Sequence, residues 1–446
     1  MEGSPLTKFS IEDSPNYAAQ VIRVPAPFPL PNADRLVGVG VFGYTVVTQR
    51  DGTLREGDLA VFFPAECQIS DALAWAANLY RHAERNIDPS QTGYLEDNRR
   101  VRALKLRGTV SNGLILPVSV VADAFGVPES DFVEGTAFDA INGEEVSRKY
   151  RVKEPAVQVS REAANVKKAF KRVTDKQFPV HIETDQYLRN EHLIAADDIL
   201  IVTQKLHGTS FRAGRVPVRR KLTWIERLAK RLGVKVAETE LDVVFGSRQV
   251  IKDVHNPNQA HFYGVDLWSE FGLSIEDRIP ANVIVYGELV GWTSEGAPIQ
   301  PGHTYGLPQG LSELYLYRVS VITDAGDLYD LSWDQVRTFA NEHGFSHVAE
   351  LWRGHKRDFV LENFVENDFH ADFRMAASAG ILSYRDVPVP LSTDGTGADE
   401  GIAIRVDRGG RVPLLFKHKN PSHFLFETAQ LDAGEVDLES AESVPA

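Results

Sequence analysis

The sequence predicts an α+β protein in which a small antiparallel β-barrel precedes a larger domain of longer strands and helices. Three observations carry that expectation. The first 150 residues break into short apolar runs cut by turns, and from Phe178 the runs lengthen and alternate with helical patterns. Between them, Arg148 to Arg172 carries nine Lys or Arg against two acids, Glu154 and Glu162, as a linker does. The expected organisation is a barrel over 1–150, a basic linker over 151–177, a second, larger domain over 178–430 and an acidic disordered tail over 431–446.

In the first part, Val37 to Val47 is apolar and Gly-spaced, and Leu59 to Phe63 is a compact run before Pro64. Arg100 to Leu106 alternates basic with apolar residues, as a half-exposed strand does. Arg99, Arg100, Arg102, Lys105 and Arg107 form its best basic cluster. The insert Asp71 to Asp97 is rich in Ala, Leu and Glu, which predicts a helix. Further on, Ile199 to Val202 is a strand, and Arg219 to Lys235 is an amphipathic helix with Leu222, Ile225, Leu228 and Leu232 at helical spacing. Its basic face either grips phosphate or is merely solvated. Ser332 and Gln335 form a capping box that opens a helix, with Gly344 as its stop.

At 446 residues the chain is long enough for two or three domains. No apolar stretch reaches the roughly 18 residues of a membrane helix, and Met1 to Asn16 lacks a secretory pattern, so the default is cytoplasmic with no membrane partner. The single cysteine, Cys67, excludes an internal disulfide and a cysteine-rich zinc site; its apolar neighbours predict a buried, inert thiol. A net charge of −14 argues against a general polyanion binder, although charge is unevenly distributed.

The most informative stretch is Lys205-Leu206-His207-Gly208, which ends the apolar run Ile199 to Val202. Downstream follow Gly246-Ser247-Arg248, Tyr286-Gly287-Glu288-Leu289, Glu400-Gly401-Ile402-Ala403-Ile404-Arg405 and Lys417-His418-Lys419. This order resembles the covalent nucleotidyltransferases, the superfamily of polynucleotide ligases and capping enzymes, over roughly Phe178 to Phe426. Lys205 matches the lysine that attacks the α-phosphorus of a nucleotide. The Lys-x-His-Gly form, with His207 where most members carry Asp, is similar to the RNA ligases, notably the phage RNA ligase 2 branch. Three segments of the first part resemble OB-fold domains that bind tRNA: Pro31 to Leu36, Glu56 to Leu59 and Leu106 to Gly113. The resemblance therefore implies an OB-like barrel followed by a nucleotidyltransferase domain, ATP-grasp-like, of antiparallel sheets plus helices.

Chemistry explains why such residues are needed. A lysine attacks phosphorus only when neutral, yet an ordinary lysine amine has a pKa of about 10.4. Positive charge nearby favours the neutral form, and Lys417 and Lys419, two apart on a strand, would supply it from one face. Transfer of a nucleotidyl group also needs positive charge around the α-phosphate, hence Mg²⁺ or Mn²⁺, with Glu288 and Glu400 as carboxylate anchors. The resemblance further implies that Arg248 contacts the sugar and an incoming 5′-phosphate, that Tyr317 stacks on adenine, and that Glu288 alternatively serves the ribose. Gln204 stands where the adenine amino group is read, and Gly208 and Arg405 complete the nucleotide-binding set. Arg318 departs from the pattern, replacing the acid often found beside that aromatic.

Only 27 residues follow Lys419, which leaves no room for the second OB domain of DNA ligases and capping enzymes. A leading OB-like domain resembles the bacterial-type RNA ligases that seal nicked duplexes with a ribonucleotide 3′-OH. The expected function is ATP-dependent joining of RNA 3′-OH and 5′-phosphate ends through a lysyl-AMP at Lys205. Two alternatives remain open here: another covalent nucleotidyltransferase of DNA ligase or capping type, and a non-catalytic RNA-binding protein on a ligase scaffold.

Overall fold

The structure is a computed structural model and describes residues 8–152, 172–173, 176–248, 250–252, 266–323, 326–364, 386–391, 397–409 and 412–434. Most of the expected basic linker and of the acidic tail lies outside the described residues. The chain divides into two compact units that interleave in sequence. One joins Met1–Val152 to Asp185–His192 and Lys419–Glu435, and the other joins Lys153–Thr184 to Leu193–His418 and Val436–Ala446.

The first unit is built on strands β1 (Ala19–Arg23), β2 (Leu36–Val41), β3 (Tyr44–Gln49), β4 (Leu59–Pro64) and β5 (Gly113–Pro117). Antiparallel β4 lies between β1 and β5. Its run is apolar throughout because both faces are covered: Val61 and Phe63 enter one core with Val21 and Leu116, Ala60 and Phe62 another with Ile22, Val39 and Ile115. Strands β2 and β3 form a hairpin whose turn residues, Phe42 and Gly43, take φ of 49° and 77°. Positive φ at both positions matches the right-handed twist of the flanking strands. Cys67 is fully buried, as expected, and burial pushes its thiol far up.

Two local expectations fail here. The Asp71 to Asp97 insert holds only one short α-helix, α1 (Asp71–Ala76), capped by Ser70. It stops because Asn78 turns to a φ of 53° and Gly93 lies so close to Leu79 that a Cβ would sit 2.1 Å from its carbonyl oxygen. Nor is the basic cluster a free strand face, since only Leu104–Leu106 pairs as a strand. Arg100 is 1% exposed and is paired with Glu66 and Asp432, and Arg102 is paired with Glu96 and Asp432. Lys105 and Arg107 alone of the stretch from 100 to 107 stay exposed cations. A second helix, α2 (Val118–Phe125), covers the first core and ends at Gly126 with φ 61°.

The second unit carries two mainly antiparallel sheets. In chain order come β6 (Ile199–Lys205), β7 (Thr209–Arg219), α3 (Trp224–Arg231), β8 (Thr239–Gly246), α4 (Leu267–Ile275), β9 (Val283–Gly291), β10 (Ser312–Ile322), α5 (Trp333–His343), β11 (Glu350–His355), β12 (Gly401–Val406) and β13 (Leu414–Lys419). One sheet runs β13-β12-β6-β11, and the other has β8-β7-β9-β10 at its centre. They share one core, in which Ile201 and Leu206 meet Phe211, Trp268, Val285, Leu289 and Trp333. The Ser332 box forms with both of its hydrogen bonds, and Gly344 stops α5 at φ 71°. Helix α3 is shorter than the periodicity suggested. Pairing with β8 keeps β7 extended to Arg219, and Thr223 caps the helix only afterwards.

The chain's last described helix, α6 (Pro421–Asp432), packs in the first unit, where Phe424 meets Tyr44 and Thr428 Oγ1 donates to Glu66 at 2.6 Å. No helix among the described residues is long and apolar enough to cross a membrane.

Candidate active site

Strand pairing assembles the site. In the β6–β12 register Lys205 lies opposite Gly401, which places the preceding Glu400 beside the lysine. Lys205 Nζ sits 2.6 Å from Glu400 Oε1, with the lysine side chain 21% exposed and the carboxylate 4%. In the β7–β9 register Ser210 faces Glu288. The intervening turn brings the Gly208 N–H to Glu288 Oε1 at 3.1 Å. Gly208 is required by space: a Cβ there would lie 2.3 Å from the Leu289 carbonyl oxygen.

A loop that the sequence reading passed over braces this turn. Gln300 donates to the Gly208 carbonyl at 3.0 Å, and the His207 N–H donates to Tyr305 Oη at 2.7 Å. The His207 ring meets His303 edge-on at 4.7 Å, and His303 in turn is 2.8 Å from the Ala398 carbonyl. Burial pushes the Tyr305 phenol well above its ordinary value, and the charges of Glu400, Asp399 and Glu288 add to that. Three carboxylates thus gather around one phenol. No spacing rule in Gln300 to Tyr305 signals this role.

An open cleft of about 900 Å³ lies in this unit, and of the expected residues Gln204, Lys205, Arg248, Glu288, Tyr317, Arg405 and Lys417 line it. Several of these side chains also bind other parts of the chain. The Gln204 amide donates to the Val389 carbonyl and accepts from its N–H, both at 2.8 Å, so it ties down a loop. Arg405 binds Asp407 at 2.6 Å and donates to the carbonyls of Tyr317 and Leu331, which joins elements behind the cleft. Arg318 is buried against Asp330 at 2.8 Å and lies over the Tyr286 ring.

The motif at β13 splits by alternation. Lys417 lines the cleft, and His418 between the lysines is fully buried, its imidazole pushed down to about 4 by burial. Lys419 belongs to the first unit, where its ammonium is held by Glu427. Tyr44 Oη donates to the Lys419 carbonyl at 3.1 Å and accepts from its N–H at 3.2 Å. Burial favours protonation of Glu427, but the charges of Lys419 and His423 hold its carboxyl well below the ordinary range.

Residues 198–419 match the family model for RNA ligase, and residues 18–118 match an OB-fold domain model. The chain therefore carries an RNA ligase domain together with an OB-fold domain. The RNA ligase domain takes in Lys205, Glu288, Glu400 and Lys417, and the architecture is α+β with an N-terminal OB-fold domain. Among solved structures, the chain is similar to a point mutant of Naegleria gruberi RNA ligase with ATP and Mn, at 16% identity and TM-score 0.51, over 94% of this chain and 99% of that one. It is similar to the same ligase, without a named mutation, with PPi, at 17% identity and TM-score 0.50, over 91% and 97%. A third structure, another point mutant with AMP and Mn, matches at 14% identity and TM-score 0.51, over 91% and 97%. At such identities the likeness is one of fold. No curated protein matches the sequence.

The donor set fits a hard divalent cation. Glu288 and Glu400 are carboxylates with 8% and 3% exposure, and Asp399 adjoins the second. Mg²⁺ and Mn²⁺ both favour such oxygens.

Proposed function

We propose that this protein is an ATP-dependent RNA ligase that joins 3′-OH and 5′-phosphate RNA ends through a lysyl-AMP on Lys205. The observation that carries the reading is Lys205 Nζ, 2.6 Å from buried Glu400 at a strand end, in a cleft that also holds Arg248, Glu288 and Lys417. A nucleophile, a carboxylate to take its proton and cations for a phosphate chain occur together there. The solved relatives with ATP and Mn, or AMP and Mn, support nucleotide and divalent-metal use.

In the first step Lys205 Nζ loses a proton, to which Glu400 Oε1 is the nearest carboxylate, and forms a bond to the α-phosphorus of ATP as pyrophosphate leaves. Lys417 and Arg248 supply positive charge along the cleft. In the second, an RNA 5′-phosphate oxygen takes AMP from the lysine and the N–P bond breaks. In the third, a 3′-OH attacks that activated phosphate and AMP leaves. Glu288 and Glu400 would hold Mg²⁺ or Mn²⁺, which when bound neutralises charge on the α-phosphate and the leaving pyrophosphate. The OB-fold domain would hold the RNA, in this reading a nicked duplex in the cytoplasm.

The test is incubation with α-labelled ATP or GTP and Mg²⁺, followed by denaturation. Label from ATP that survives on the protein and disappears in Lys205→Ala is expected. Label from GTP alone would move the reading to capping chemistry, and absence of label from protein first stripped with pyrophosphate would refute nucleotidyl transfer.

A further inference from the structure

The segment from Phe178 to Thr184 precedes the matched RNA ligase residues, 198–419, and crosses the β7-β9-β10 sheet strand by strand. Over β7, Arg212 stacks on the Phe178 ring at 4.6 Å and donates to the Phe178 carbonyl at 3.0 Å. Over β9, Tyr286 Oη donates to the Pro179 carbonyl at 3.0 Å. Over β10, Tyr317 Oη lies 2.6 Å from His181 Nδ1, and the same imidazole meets the Tyr286 ring edge-on at 5.2 Å. His181, Ile182 and Thr184 thereby become a wall of the cleft.

Tyr317 reaches this wall through an irregularity. Tyr286 pairs with Arg318 and Gly287 with Leu316, so Tyr317 is the extra residue of a β-bulge. A bulge re-aims a side chain that strict alternation would send to the other face. Tyr317 and Arg318, neighbours in sequence, accordingly both line the cleft. The cleft is also polarised in composition. Lys205, Arg248 and Lys417 are cations suited to phosphates, whereas His181, Ile182 and Tyr317 offer aromatic and apolar surface suited to a base.

We propose that His181 is the positioning residue for the base of the bound purine nucleotide, acting by fixing the Tyr317 ring through its phenol. The proposal rests on the nucleotide-binding reading of this cleft. With the hydroxyl committed to His181, Tyr317 presents its ring face, and a base is then held by stacking.

The experiment measures ATP affinity by equilibrium binding, together with KM and kcat for lysine adenylation. His181→Ala is expected to weaken ATP binding and raise KM about tenfold, as loss of one orienting hydrogen bond does, with kcat within about twofold. His181→Gln, whose amide oxygen accepts from the phenol, should recover most of the affinity. Tyr317→Phe should match His181→Ala, and the double variant should be no worse than either, because both remove one interaction. Unchanged KM in His181→Ala, a loss confined to kcat, failure of His181→Gln to rescue, or additive losses would overturn the proposal. Equilibrium binding separates it from the ligase reading: a wild-type protein that binds ATP without adenylating itself refutes the ligase, while His181 is still judged by affinity. Absence of ATP binding refutes both.

Discussion

At the residue scale, the site shows how environment reassigns groups of the same type. Two neighbours in one strand, Lys417 and His418, go to the cleft and to the interior. The cost of burying His418 is paid in pH dependence. Its folded pKa, about 4, is below the ordinary 6.5, so on acidification the unfolded chain binds a proton that the folded one refuses. Stability contributed by neutral His418 is therefore complete above about pH 6.5 and declines as pH falls toward 4. Urea unfolding of the wild type at pH 7.5 and pH 5 should show that loss, and His418→Leu should lose distinctly less. An equal decline in both proteins would remove His418 as its cause.

At the element scale, strands place the chemistry and helices brace it. Register alone sets Glu400 beside Lys205 and Glu288 beside the Gly208 turn. Helix α5 secures the sheet holding Lys205 from the side. Its Trp333 donates to buried Glu350 of β11 at 2.8 Å, and Arg337 and Arg353 pair with the same carboxylate. These pairs hold the Glu350 carboxyl below its ordinary value despite desolvation, which acts to raise it. The capping box that opens α5 is a local signal with a local cost. Ser332→Ala should lower unfolding stability by about 1 kcal/mol while leaving lysine labelling intact. A loss of several kcal/mol would mean that Ser332 does more than cap. The periodicity of α3 was equally legible, but not its packing. Trp224, Ile225, Leu228 and Leu232 are all exposed, so the apolar stripe there is no core face.

At the scale of the whole molecule, the two units interleave, and this changes how the division of labour can be tested. Removing residues 1–150 would strip Tyr44 from Lys419 and Glu66 and Arg100 from α6, so a truncated chain reports on broken packing as much as on lost RNA binding. The exposed cations Lys105 and Arg107 offer a cleaner probe. The Lys105→Ala/Arg107→Ala variant should reduce sealing of a nicked RNA duplex several-fold and weaken its salt dependence, because each phosphate contact releases counterions. Lysine labelling by ATP should be unchanged. Sealing equal to wild type across salt concentrations would place the RNA contacts elsewhere on the domain.

Much of this protein was determined by local sequence. Apolar runs, turn glycines and the Ser332 box mark elements through interactions within a few residues, and the ordered motifs from Lys205 to Lys417 fall within the residues that match the RNA ligase family model. Tertiary structure alone decided what those motifs touch. Arg100 looked like a surface cation, yet it is buried by partners more than 300 residues away at Thr428 and Asp432. Gln204 and Arg405, which the resemblance places at a nucleotide, also hold the Val389 backbone and Asp407. His181, Gln300 and Tyr305 carried no motif, because their roles arise from loops folding back across a sheet. The physical reason is range. Propensity, capping and alternation act between near neighbours, whereas strand register, a bulge at Tyr317 and the choice of partner for a buried charge are settled only when distant segments compete for the same hydrogen bonds.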